Sequence, residues 1–397
     1  MKLAYLAPEF YPPWGGVGIY SMNLVNELSK KIQIDVFTPK RTHEAKYVEK
    51  EFGNRIRVIN IGTAKNDFSY NLFFQYRLLK EFPRYNNVER YDVVHSANLV
   101  HMPDVFLKLR GYKMNSVVTA HTTIKGQVSG TLKSSKNFFK MAPSEKGSLI
   151  AYPYIRTLEA MYLKKTKYMI TVSKKFEEMF RQKGYNGFLK TIHNGVDIAF
   201  FKRVSNANNF PQLNDKGFIV LFAGRLISLK GTEDFVKMMA SLRDLDIHFV
   251  VAGQGDVDGF KRLLVKYQIP KEKYTFLGFV NNRELPEVYR KSSIFVLPSY
   301  TENLPISLLE AMSLGCCCIA TDVGAISEII ESGKEGFLFK PGNVNELAGK
   351  VRLLYNNKKL RAKLAKNGYN KVLKEFSVRK MAAETLGVYR RMQDESF

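Results

Sequence analysis

Short apolar runs alternate with stretches of helical spacing along most of the chain. Residues 3–7 read as a first strand, and residues 8–18 follow as a Pro/Gly loop. Val17, Tyr20, Leu24 and Leu28 then recur at the spacing of one helix face. Strands are predicted at residues 33–38, 55–61, 91–96, 116–122 and 168–172, with an aromatic helix over 68–82. Residues 160–167 read as a helix end feeding the last of these strands. The pattern repeats further on, with strands at 218–223, 247–252, 274–278, 294–297, 315–320 and 336–339. Helices are expected from Thr232, after Pro305, after residues 322–328, over 345–355 and over 374–392. Between the two series lies a polar stretch, 201–216, with Asn206, Asn208, Asn209 and Pro211, which reads as a linker. Strand–helix alternation of this kind predicts an α/β protein with two doubly wound domains.

Composition narrows the class. With 397 residues, 45% of them hydrophobic, each domain can bury its own core. No window of eighteen apolar residues suggests a spanning helix. The opening apolar run breaks at Pro8-Glu9, so it reads as a strand rather than a signal peptide. Cys316, Cys317 and Cys318 are consecutive, a spacing that serves neither a metal nor a disulfide framework and fits a reducing cytoplasm. The net charge of +24 suggests an anionic partner (a membrane surface, nucleic acid or an anionic substrate), and equally fits a lysine-rich proteome with no specific partner. Nucleic acid is set aside because no recognition motif is present. Residues 124–167 concentrate the basic and aromatic character, with Lys125, Lys133, Lys136, Lys140, Lys146, Arg156 and Lys164 among Phe138, Phe139, Tyr152, Tyr154 and Tyr162. That mixture suits an anionic lipid surface or a phosphorylated acceptor, and equally a solvated basic loop and helix.

The candidate chemistry centres on Ser299-Tyr-Thr-Glu-Asn-Leu-Pro-Ile-Ser-Leu-Leu-Glu-Ala-Met312. A buried strand ends at Pro298, a loop follows, and Ile306, Leu309 and Met312 mark a helix with Pro305 suited to its first position. The start of a helix offers unpaired amides and a positive dipole, a natural phosphate site. Glu302 and Glu310 flank it, and an acid in the loop and one within the helix can both line one cleft. Gly224-Arg-Leu-Ile-Ser-Leu-Lys-Gly231 is a second strand-to-helix handover, where Arg225 and Lys230 would face a diphosphate. Gly15 and Gly16, in the first loop, permit close approach of backbone to phosphate. Their spacing is not that of the dinucleotide fingerprint. His121 stands at the carboxyl edge of its strand, the edge that faces ligand in open parallel sheets, while His95 and His101 read as structural. Two Asp-x-Asp strings, Asp244-Leu-Asp246 and Asp256-Val-Asp258, are read as ordinary loop and helix-start acids and not as a metal site.

These motifs, in this order, resemble those of the retaining GT-B glycosyltransferases, in particular family 4 (glycosyl transferases group 1). Glu302 and Glu310 match the Glu-x7-Glu signature, residues 12–16 the Pro-Pro-x-Gly-Gly loop, and Arg225 with Lys230 the donor-diphosphate clamp. Val172-Ser173 and residues 193–197 match signatures near the domain border. The departures are Thr122 in place of an Asp after His121, Cys317 in place of a proline, and the absence of the family's glycines at Asn303-Leu304.

The resemblance implies two Rossmann-like domains facing across a cleft. Residues 1–200 would form the acceptor-side domain, 201–216 the linker, 217–375 the nucleotide-sugar domain, and 376–397 a helix returning to the first. It implies transfer from a UDP- or GDP-sugar to a hydroxyl on a lipid-linked or membrane-associated glycan. The enzyme would be metal-independent and need no cofactor. It would be cytoplasmic and peripheral on an anionic membrane surface, with no nucleic acid as partner. Glu302, His121, Arg225 and Lys230 would be catalytic. Gly15, Gly16, Arg225, Lys230, Val280, Asn303, Leu304 and Glu310 would bind the donor, Glu310 through the ribose hydroxyls. A silent nucleotide-sugar-binding scaffold, or a phosphorylase or epimerase on the same scaffold, are the alternatives.

Overall fold

The computed structural model describes residues 1–11, 13, 15–40, 55–63, 70–97, 103–121, 153, 156–157, 159–160, 163–203 and 208–395. Most of the basic and aromatic stretch after Ile124, together with His101, Thr122 and Asn206, lies outside them. The described residues divide into two compact units. One runs to Gly195 and resumes at Val378; the other spans Val196–Ser377.

The first unit carries a seven-stranded sheet: β1 Lys2–Leu6, β2 Gln33–Lys40, β3 Ile56–Thr63, β4 Val93–Ser96, β5 Ser116–Ala120, β6 Tyr168–Thr171 and β7 Phe188–Thr191. Its order is β3-β2-β1-β4-β5-β6-β7, with every pairing parallel. A parallel sheet is covered on both faces, which is why β4, β5 and β6 are buried along their whole length. Helices α1 Gly16–Leu28 and α2 Tyr70–Glu89 follow β1 and β3, and Phe74, Leu78 and Phe82 of α2 pack with Phe37 in the core. The last helix, Val378–Asp394, belongs to this unit and lies against α1. Tyr389 on that helix meets buried His95 at 2.5 Å, and the other ring nitrogen of His95 meets Thr119 Oγ1 at 2.7 Å.

The second unit carries β8 Phe218–Ala223, β9 Ile247–Ala252, β10 Tyr274–Gly278, β11 Ile294–Leu297, β12 Cys317–Thr321 and β13 Gly336–Phe339. They form a six-stranded parallel sheet in the order β10-β9-β8-β11-β12-β13. Its helices include α3 Thr232–Ser241, α4 Leu285–Lys291, α5 Ile306–Ser313 and α6 Lys358–Glu375. Val220, Phe222, Phe249, Val251, Ile294, Val296 and Ile319 from the strands form its core with Phe235 and Met239 of α3.

Each strand expected from an apolar run is present within two residues of its expected ends. Several features differ from the sequence reading, among them α4 and most of α6, which were not expected. The edge strand β7 was not expected, because only Leu189 of its four residues is buried and no period is visible. Pro305 caps α5 from outside, with extended backbone (φ −69, ψ 121), instead of occupying its first turn. The helix expected over 374–392 is two helices broken at Phe376-Ser377, where the chain turns aside to bridge Val196. In the polar stretch after residue 200, Phe201, Phe210 and Leu213 are buried and belong to the second unit. Among the described residues no helix is long and apolar enough to cross a membrane, and the three cysteines are buried free thiols.

Candidate active site

In the second unit, β8, β9 and β10 step outward on one side, and β11, β12 and β13 on the other. The strand order therefore reverses between β8 and β11. Loops leaving the carboxyl ends of the two strands diverge there, and open parallel sheets bind ligands in that crevice. The loop after β8 holds Arg225 and Lys230; the loop after β11 holds Glu302, Asn303 and Leu304.

The β8 loop turns sharply. Residues Ser228–Lys230 form one 3-10 turn, and Gly231 adopts φ +69. A Cβ there would lie 2.0 Å from the carbonyl oxygen of Pro298, so glycine is required both by conformation and by the closeness of the neighbouring loop. Tyr300 ties the loops together, its amide donating to Leu229 O at 2.8 Å and its hydroxyl to Asp234 Oδ2 of α3 at 2.8 Å. From the other side Gly324, at φ +57, lies so close that a Cβ would fall 1.7 Å from Glu302 O, and Ala325 N donates to Asn303 O at 3.0 Å.

This framework brings Lys230 and Glu302 together as an ion pair through Glu302 Oε1. Ser299 Oγ donates to the same oxygen at 2.8 Å. Both charged side chains remain partly accessible, Lys230 at 24% and Glu302 at 10%, so a ligand can reach them. Arg225 is exposed at the same strand end.

Glu310 has a different environment. It faces inward from α5 and is buried, and Tyr289 of α4 donates its hydroxyl to Glu310 Oε2 at 3.3 Å. Burial pushes its pKa up to about 7, opposed by the Tyr289 hydrogen bond. Cys316 Sγ reaches Tyr289 O at 2.8 Å, so this cysteine lines the wall behind the pair. Val280 is buried after β10, two strands from β8.

In the first unit the strand order reverses between β1 and β4. Gly15, with extended backbone, caps α1 on the loop that leaves β1, and Gly16 opens the helix with nothing within 4 Å of where a Cβ would stand. His121 follows β5 at the carboxyl edge, its ring edge-on to Tyr20 with centroids 4.3 Å apart. Loss of water around the ring pulls its pKa down to about 3, as it does for His95, so both rings are neutral near pH 7.

One acid of each Asp-x-Asp string has a structural partner. Asp244 holds Arg352 through two contacts at 2.6 and 2.8 Å, and Asp256 caps the helix Val257–Lys266 by accepting from Gly259 N at 2.8 Å. Sequence reasoning missed Tyr289, Ser299, Tyr300, Asp234 and Gly324. Ser299 and Tyr300 stood inside the singled-out stretch, but a hydroxyl beside a loop acid carries no signal until the loop's path is known.

The family models agree with this architecture. The model described as Glycosyltransferase Family 4 matches residues 14–200, and that described as glycosyl transferases group 1 matches residues 205–371. An uncharacterized glycosyltransferase of Methanocaldococcus jannaschii is 26% identical over an alignment of 411 positions that covers 98% of each chain. The UDP-Gal:alpha-D-GlcNAc-diphosphoundecaprenol alpha-1,3-galactosyltransferase of Escherichia coli is 26% identical over 212 residues, 51% of this chain and 54% of that one. Among solved structures, sucrose-phosphate synthase from Thermosynechococcus elongatus superimposes with a TM-score of 0.82 at 22% identity, covering 99% of each chain. Two doubly wound parallel sheets on one chain, with these likenesses, define a glycosyltransferase of the GT-B type. The chain belongs to glycosyltransferase family 4.

Proposed function

We propose that the protein transfers a hexosyl group, with retention and without a metal, from a UDP- or GDP-sugar to a hydroxyl of a lipid-linked or membrane-associated glycan. The observation that carries this reading is the pairing of Lys230 with Glu302 where the second sheet reverses its strand order. A cation and an acid side by side there match the two ends of a sugar–diphosphate bond. Lys230 and Arg225 neutralise the departing diphosphate, helped by amides at Asn303, Leu304 and the start of α5. Glu302 accepts hydroxyls of the donor sugar and steadies positive charge at the anomeric carbon. Glu310 accepts the ribose hydroxyls, and Val280 lies beside the base. For the first unit we propose Gly15 and Gly16 as donor-facing backbone and His121 as a neutral hydrogen-bonding group. As the anomeric C–O bond to phosphate breaks, the acceptor oxygen bonds to the same face of that carbon, and its proton passes to the leaving phosphate.

The likeness to the E. coli galactosyltransferase, which is named for UDP-Gal and a diphosphoundecaprenol acceptor, supports both a nucleotide-sugar donor and a diphospholipid acceptor. The charge of +24 supports attachment to the anionic inner face of a membrane.

The test begins with thermal shifts against UDP, GDP and their hexoses, since a ligand that binds only the folded state raises its stability. The stabilising nucleotide sugar is then incubated with diphospholipid-linked acceptors, and the anomeric configuration of the product is read by NMR. A product with the donor's configuration is expected. Binding without turnover across a broad acceptor panel would return the silent scaffold, and an altered sugar nucleotide from donor alone would return the epimerase.

A further inference from the structure

Of the two signature acids, Glu302 has its carboxylate held by two side chains, Ser299 from its own loop and Lys230 from the loop after β8. Ser299 stands two residues beyond the end of β11 and has no solvent exposure. Its carbonyl accepts from Thr321 Oγ1 of β12 at 2.6 Å, and Thr321 is likewise fully buried. Ser299 is thus anchored to the ends of two adjacent core strands, while its hydroxyl points at Glu302 Oε1. The same oxygen accepts from Lys230, and Oε2 has no hydrogen-bond partner among the described residues.

We propose that Ser299 is a positioning residue for glycosyl transfer, fixing the Glu302 carboxylate so that Oε2 is presented to the donor sugar. This rests on the reading that Glu302 receives that sugar. Lys230 cannot hold this orientation through the reaction. When a diphosphate arrives, the lysine is drawn to a stronger, doubly anionic partner. The Ser299 hydroxyl, fixed by the sheet, is the donor that stays with Glu302. Without it the carboxylate either follows Lys230 toward the phosphate or swings between rotamers, and the stabilising charge is misplaced at the moment the anomeric bond opens. Supporting hydrogen bonds of this kind act on rate, because small displacements of a catalytic group are costly in the transition state.

The experiment compares wild type, Ser299→Ala, Glu302→Gln and the double variant. Release of UDP or GDP is followed with the hexose nucleotide that most stabilises the wild type. Donor hydrolysis serves where no acceptor is known. Ser299→Ala is expected to lower kcat about 10- to 100-fold with donor KM within about threefold. In the Glu302→Gln background it should cost nothing further, because it acts through that carboxylate. A stability defect alone would lower active concentration equally in both backgrounds. A ligand-induced thermal shift equal to wild type confirms folding. Should Ser299→Ala not fold, Ser299→Cys fills the space while donating weakly and is expected to behave the same way. Wild-type kcat in the serine variant, or a full multiplicative loss in the double variant, overturns the proposal. If Glu302→Gln itself turns over at the wild-type rate, the assignment of Glu302 is what fails.

Discussion

Lys230 and Glu302 lie 72 residues apart in sequence and form an ion pair on the two loops that diverge from the point of strand reversal in the second sheet. Neither loop reaches that position by its own preferences. Gly231 and Gly324 let backbone approach backbone, and Tyr300 stitches the loops to α3.

The lysine should matter for turnover with any nucleotide sugar. Lys230→Ala is expected to lower kcat/KM by roughly 2–4 kcal/mol of transition-state stabilisation, since a charge-assisted contact to a departing diphosphate is lost. Steady-state kinetics with matched thermal unfolding checks this; near-full activity would remove the clamp assignment.

Glu310 should make stability depend on pH. Its folded pKa of about 7 exceeds the ordinary 4.5, so between these values the folded protein holds a proton that the unfolded chain has released. Stability therefore falls as pH rises through this window and levels off above it, by on the order of 3 kcal/mol. Glu310→Gln, neutral throughout, should flatten that slope. It should also abolish a rise in donor affinity through about pH 7, where the carboxylate becomes an acceptor for ribose hydroxyls. Denaturant titrations and donor binding across this range measure both effects; a slope unchanged in the variant would refute the first.

Gly324→Ala should displace the acidic loop. The added methyl would lie 1.7 Å from Glu302 O at a positive φ, so the loop must shift. A loss of roughly 1–3 kcal/mol in stability is expected from backbone strain, with a fall in kcat larger than that in donor affinity. An active, equally stable variant would show that the loop tolerates movement.

Chelation should leave turnover intact. Asp244 is engaged with Arg352, and Asp256 with the start of the helix Val257–Lys266. Activity after EDTA treatment is the measurement; loss restored by Mn²⁺ would assign one of these pairs to a metal.

Much of this was legible in residue order. The strands of both sheets show as apolar runs because parallel strands are covered on both faces, so burial leaves a continuous imprint. The edge strand β7, half-exposed, leaves almost none. The break at Phe376-Ser377 was hidden because both flanking segments have helical spacing, and the interruption comes from pairing with Val196, far away in sequence.

The site divides in the same way. The charged groups proposed for it could be named from the sequence because acids and cations at strand-to-helix handovers stand out against apolar neighbours. Their supports could not. Tyr289 and Asp234 carry no signal in the sequence, yet the Tyr289 hydroxyl meets Glu310 and Asp234 accepts from Tyr300.

By itself, then, the order of residues determined the alternation of strand and helix, the two-sheet architecture, and the identity of the charged groups. Those follow from local periodicity and from which side chains water will not release. Tertiary structure alone decided that Lys230 and Ser299 share one oxygen of Glu302, and that Glu310 lies in a dry wall against Tyr289. Such choices depend on distances between segments remote in sequence, set by packed strands and close glycine contacts that no local pattern encodes.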